Sequence, residues 1–203
     1  MHDQGIVHGD LRGVRSRILS RRPVRGSPGP KVNILIDDDG RACLTGFGLV
    51  TVVSDQPTIL PALTGDRIRW SSPERLYPER FNLKERHPMR ESDRYALGMV
   101  IYKLLSGHTP FSSCTDVLLL VEKILDGERP GKPLTAQGAW FTDDLWEMLN
   151  QCWAMQSKGR PSIDAVLGRL EEISKTWKPP LKQADEDLEE DEDDWDLTEI
   201  ILQ

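Results

Sequence analysis

Asp10, Arg12 and Asn33 are the residues of this sequence whose types suit one chemistry. A carboxylate such as Asp10 can accept a hydroxyl proton. The Arg12 guanidinium, two residues on, can meet a phosphoryl group, and the Asn33 amide oxygen can hold a magnesium ion. Phosphoryl transfer asks a protein for little more than such an orienting base, cations for the phosphates and ligands for the metal. The three do not sit at a compact spacing, however: Asp10 and Asn33 are 23 residues apart.

Several elements must position these groups. Gly5-Ile6-Val7-His8 reads as a short apolar strand or turn entering the loop. Arg12 to Lys31 is basic and rich in Pro, Gly and Ser without a hydrophobic period, so a disordered loop is expected. Asn33-Ile34-Leu35-Ile36 and Ala42-Cys43-Leu44, on either side of Asp37-Asp38-Asp39-Gly40, read as a hairpin. Residues 49–74 form a long irregular segment, a length that inside a domain signals function or disorder. Four helices follow. Ser92-Asp93 offers a cap to one running to Leu105, apolar all round and therefore central. Thr115-Asp116 opens a second, and Thr142-Asp143-Asp144 a third with Leu145, Met148, Leu149, Cys152 and Trp153 in its stripe. Ser162 opens a fourth, with Ile163, Val166, Leu167, Leu170 and Ile173 in helical period.

Composition excludes several classes. The net charge of −7 is uneven: residues 183–203 hold 11 acidic residues and no Lys or Arg, leaving +4 on residues 1–182. A near-neutral body with an acidic tail argues against a nucleic-acid binder. Cys43, Cys114 and Cys152 are odd in number and unpaired in spacing, which suits a reducing compartment. The start has no apolar stretch of the signal-peptide kind, and Val117 to Val121 is too short an apolar run to span a bilayer. A cytoplasmic protein is the expectation, with the basic insert readable as a nuclear import signal.

With Val14 to Lys31 removed, the stretch reads His8-Gly9-Asp10-Leu11-Arg12-Gly13-Val32-Asn33, and Asn33 stands five residues after Asp10. This resembles the catalytic loop of the eukaryotic protein kinase family, H-x-D-x-[KR]-x-x-N. Gly46-Phe47-Gly48 is similar to the family's D-F-G, Ser72-Pro73-Glu74 to A-P-E, and Ser92-Asp93-Arg94-Tyr95-Ala96-Leu97-Gly98 to the start of its central helix. Cys152-Trp153 with Arg160-Pro161 resembles a late motif of tyrosine-kinase-like members. The set, in order over residues 2–175, is similar to the C-terminal lobe of a tyrosine-kinase-like kinase domain of fungal type.

The resemblance implies a mainly α fold of the α+β kinase kind, a short β-hairpin and helical bundle over residues 1–177 with no N-terminal lobe, then an acidic disordered tail over 178–203. Residues 14–31 are either an in-frame retained intron or a surface insertion. By the resemblance, Asp10 and Arg12 are catalytic and Asn33 binds magnesium and, through it, ATP. Asp93 hydrogen-bonds the catalytic-loop backbone, and Glu74 pairs with Arg160. Gly46, in place of the family aspartate, has no side-chain oxygen for a metal that demands hard oxygen ligands, and Gly9 stands where many members carry an arginine. The chain is therefore expected not to transfer phosphate as written. A pseudokinase-type protein-binding module and a gene-model fragment are the alternatives, with protein partners and a basic partner for the tail. No G-x-G-x-x-G precedes the loop, so Met1 reads as an internal methionine, and the helix missing from beside Val100, Ile101 and Leu104 leaves them expected to lose cover.

Overall fold

The computed structural model describes residues 1–13, 15–16, 33–36, 41–46, 51–52, 65–133 and 141–176. β1 (Ile6–Val7) leads into the Asp10 loop and pairs antiparallel with β5 (Thr51–Val52), inside the segment expected to be irregular. The hairpin forms as its β-branched run and turn residues suggest. β3 (Ile34–Ile36) pairs antiparallel with β4 (Ala42–Leu44), with Ile34 opposite Leu44 and Ile36 opposite Ala42. The insert departs from the expected disorder at its start: β2 (Arg15–Ser16) pairs parallel with β3. The reason is local, since the free edge of β3 presents unpaired backbone groups that the next available chain can satisfy. Residues 17–31, the Asp37–Gly40 turn, Phe47, Gly48 and the tail over 178–203 lie outside the described residues.

Two short helices, α1 (Gly65–Ile68) and α2 (Pro73–Leu76), follow, then four longer ones: α3 (Arg90–Ser106), α4 (Val117–Leu125), α5 (Asp143–Cys152) and α6 (Ile163–Thr176). The described residues are thus mostly helical with small sheets, consistent with the kinase-like fold class. α3 starts earlier than Ser92-Asp93 suggests. Met89 is its N-cap residue and Ser92 is the third helical residue, its hydroxyl accepting the Met89 amide at 2.8 Å. Asp93 is therefore not a cap, and its carboxylate is left for the loop described below. Asp116 caps α4 through the Leu118 and Leu119 amides, and Thr142 caps α5 through Leu145. Each such cap contributes about 1 kcal/mol.

The core runs along α3, α5 and α6. Tyr95, Met99, Met148, Leu149, Trp153 and Val166 are essentially inaccessible, each large apolar side chain contributing about 1.5–3 kcal/mol by leaving water. Val100 and Ile101 are buried too, contrary to the expected loss of cover, while Leu104 is partly buried against the same core. Leu167 departs from its predicted stripe and is exposed, one position (about 100°) round α6 from the buried Val166. A second cluster, Ile68, Leu76, Cys114, Leu120 and Ile124, ties α4 to α1 and α2.

At Gly98, α3 packs closely against the end of α5. A Cβ there would stand 2.7 Å from Trp153 Nε1 and 2.9 Å from Cys152 Cβ. Gly98→Ala is expected to destabilise the chain by about 1–3 kcal/mol, despite alanine's better helix propensity. Denaturant unfolding measures it, and an unchanged midpoint would refute it.

Candidate functional site

The Asp10 loop is held from below by α3. Asp93 is 2 % exposed and accepts the backbone amides of His8 and Gly9, each at 2.8 Å, and contacts His2 Nε2 at 2.9 Å. His8 is fully buried, its Nε2 lies 2.8 Å from the Thr45 carbonyl oxygen, and its Nδ1 accepts the Asp10 amide. A loop with no regular structure is thereby fixed at consecutive residues by groups from distant elements. That is what a buried backbone outside helix or strand requires.

The fold brings Asp10, Arg12 and Asn33 together across the insert. Arg12 Nε lies 3.2 Å from Asp10 Oδ2. Asn33 Nδ2 donates to the same oxygen at 3.0 Å and also to the Asp10 carbonyl. Backbone continuity helps, because the Asn33 amide donates to the Arg12 carbonyl at 3.0 Å, closing the base of the insert. The insert is therefore spliced into the loop without opening it, as loop-closure entropy permits at small cost.

Two arginines that the sequence did not single out complete the surroundings. Arg67 Nε on α1 stands 3.4 Å from Asp10 Oδ1. Arg75 on α2 is buried and donates to the Gly9 carbonyl. Burial lowers the Arg75 pKa from its usual value, while the nearby carboxylates of Asp93, Asp10 and Glu74 oppose that shift. Arginines are plentiful in residues 65–75, and only the packing of α1 and α2 shows which reach the loop.

Glu74 and Arg160 form a bidentate pair, both contacts at 2.7 Å, with side chains 1 % and 0 % exposed. Arg160 also donates to the carbonyls of Ala154 and Glu91, and its guanidinium lies 5.1 Å from the Tyr95 ring centroid. Burial pushes the Tyr95 phenol up to about 12, so it stays neutral beside these cations.

Magnesium does not fit the residues present. Gly46 has a φ of +78°, and a Cβ built on it overlaps Asn33 Oδ1 and Cγ and comes within 3.0 Å of Nδ2. The Asn33 amide thus fills the space in which a side chain from position 46 would begin. Among the described residues no group of three or more His, Cys, Asp or Glu could hold a metal ion. Also among them, no helix is long and apolar enough to cross a membrane.

Comparison with known proteins identifies the family over residues 31–170, which leaves Asp10 and Arg12 outside the match. The family described as protein tyrosine and serine/threonine kinase matches residues 31–170, beginning at the far end of the insert. The chain is 27 % identical over 163 residues to the dual specificity protein kinase pyk3 of Dictyostelium discoideum, covering 80 % of this chain and 11 % of the relative. It is 30 % identical over 178 residues to the tyrosine-protein kinase csk-1 of Caenorhabditis elegans, covering 85 % and 28 %. It is 25 % identical over 181 residues to the serine/threonine/tyrosine-protein kinase HT1 of Arabidopsis thaliana, covering 89 % and 38 %. The chain spans well under half the length of these relatives. With a family match over more than half of its residues, this chain belongs to the protein tyrosine and serine/threonine kinase family.

Proposed function

We propose that this chain is a tyrosine-kinase-like C-terminal lobe of fungal type that binds protein partners and does not itself transfer phosphate. The observation that carries the reading is Gly46. The family generally uses ATP and magnesium, yet the position that supplies the family's metal-binding carboxylate has no side chain here, and Asn33 occupies the adjoining space. Electrostatic stabilisation of the phosphates supplies most of the catalysis in this chemistry, so loss of the metal ligand removes orders of magnitude in rate. What remains is a loop braced by Asp93, a lobe tied by Glu74 and Arg160, and exposed surface for protein contacts. A cytoplasmic location goes with this reading.

The second reading is an active kinase domain of which this chain is part. It is favoured by the gathering of Asp10, Arg12 and Asn33 in spite of the insert. Calorimetric titration of the purified chain with ATP, with and without magnesium, tests the first reading. No magnesium-dependent heat is expected at micromolar concentrations; magnesium-dependent binding in that range would overturn the non-catalytic reading.

A further inference from the structure

A carboxylate can act on a substrate hydroxyl only if one of its oxygens offers a lone pair to that hydroxyl. Asp10 has about four acceptor positions, two on each oxygen. Oδ2 already faces Arg12 Nε at 3.2 Å and Asn33 Nδ2 at 3.0 Å. Oδ1 faces Arg67 Nε at 3.4 Å, and with the Asp10 side chain only 9 % exposed the acceptor position left on Oδ1 has little access from solvent. Arg12 and Asn33 belong to the loop's own set. Arg67 does not: it comes from α1, across the fold, and it stands against the oxygen that the other two leave free.

Arg67 is placed there by its backbone. Its carbonyl accepts the Trp70 amide at 3.1 Å and the Ser71 hydroxyl at 2.8 Å, and its neighbour Ile68 is buried in the cluster with Leu76, Leu120 and Ile124. A second tie runs in the same direction, because Arg75 on α2 donates to the Gly9 carbonyl beside Asp10. The segment from α1 to α2 therefore grips the Asp10 loop at two successive residues, through positive groups reaching from outside it.

We propose that Arg67 is a latch on Asp10, an autoinhibitory ion pair that closes the carboxylate to a hydroxyl. This deepens the non-catalytic reading above by adding a block independent of the metal position. The latch is of the releasable kind. Arg67 meets Asp10 through a single nitrogen at 3.4 Å with its side chain 21 % exposed, whereas Glu74 and Arg160 share two contacts at 2.7 Å with no solvent. Single, partly exposed pairs of this sort are weak; bidentate, desolvated ones fix geometry.

Carboxyl labelling of the full chain with a water-soluble carbodiimide and glycinamide, read by peptide mass spectrometry, tests the latch. Asp143, fully exposed and paired at 3.3 Å with the half-buried Lys132, is the reference for a carboxylate whose ion pair leaves it open to solvent. In the unsubstituted chain Asp10 is expected to label many-fold more slowly than Asp143. In Arg67→Ala and Arg67→Gln, Asp10 labelling is expected to rise several-fold while Asp93 stays protected and the melting temperature holds. That combination separates opening of the carboxylate from general loosening of the lobe. Labelling of Asp10 at the Asp143 rate in the unsubstituted chain overturns the latch without any variant having to fold. So does unchanged labelling in a folded Arg67→Gln. Either failure leaves the non-catalytic reading standing, because that reading is decided by the magnesium-dependent ATP titration; conversely, magnesium-dependent ATP binding sinks it without touching the latch.

Discussion

Glu74→Ala is expected to lower the unfolding free energy by about 3–5 kcal/mol, because it leaves the Arg160 guanidinium buried without its counter-charge. For a chain of this size that is a fall in melting temperature of about 6–20 °C. Against a total stability of about 5–15 kcal/mol, such a loss approaches unfolding. The geometry supports the upper part of the range, since both side chains are almost fully removed from water and the pair is bidentate. Replacing both partners with apolar groups, as in Glu74→Leu with Arg160→Met, should cost less than Glu74→Ala alone, since desolvating the charges consumes much of what their attraction returns. Recovery will be incomplete, because the Ala154 and Glu91 carbonyls lose the Arg160 donor. Chemical denaturation of the two variants beside the unsubstituted chain checks the ordering. A loss below about 1 kcal/mol for Glu74→Ala, the size expected of a surface pair, would contradict it.

Gly46→Asp is expected to fail as a restoration. The substitution supplies the missing carboxylate, but at a φ of +78° a residue with a Cβ is strained, and that Cβ overlaps the Asn33 amide. Backbone strain of this kind costs about 1–3 kcal/mol before the clash with Asn33 is counted. The variant should therefore melt lower than the unsubstituted chain and show no magnesium-dependent ATP binding by calorimetry. Gly46→Asp combined with Asn33→Ala should regain the part of the loss that comes from overlap and none of the part that comes from φ. Magnesium-dependent binding by Gly46→Asp alone would show that the Asn33 amide yields and that one substitution separates this lobe from a metal site.

The helices were legible in the sequence because their signals are local. The stripe Leu145, Met148, Leu149 and Cys152 is buried as its period requires, and Asp116 and Thr142 cap α4 and α5 through their own side chains. The hairpin of Ile34–Ile36 with Ala42–Leu44 was legible for the same reason. The cap signal at Ser92-Asp93 failed because a distant partner took its place. Asp93 looks like a cap beside Ser92, but the His8 and Gly9 amides, more than 80 residues away in sequence, take its two oxygens. Arg15–Ser16 has no strand period of its own and pairs because β3 presents an edge, whereas Thr51–Val52 lies in the β-branched run Val50-Thr51-Val52-Val53, a local strand signal inside the segment expected to be irregular.

By itself the sequence determined a set of residue types that resembles the family's: Asp10, Arg12, Asn33, and a glycine at position 46 where the family carries an aspartate. No arrangement of the chain can give glycine an oxygen, so that much is independent of folding. Only the tertiary structure decided the state of Asp10. Its neighbour Arg67 lies 57 residues further along and reaches the carboxylate because α1 is pinned through Ile68 to α4. An ion pair across such a separation depends on packing rather than on spacing, and spacing is all that a sequence displays.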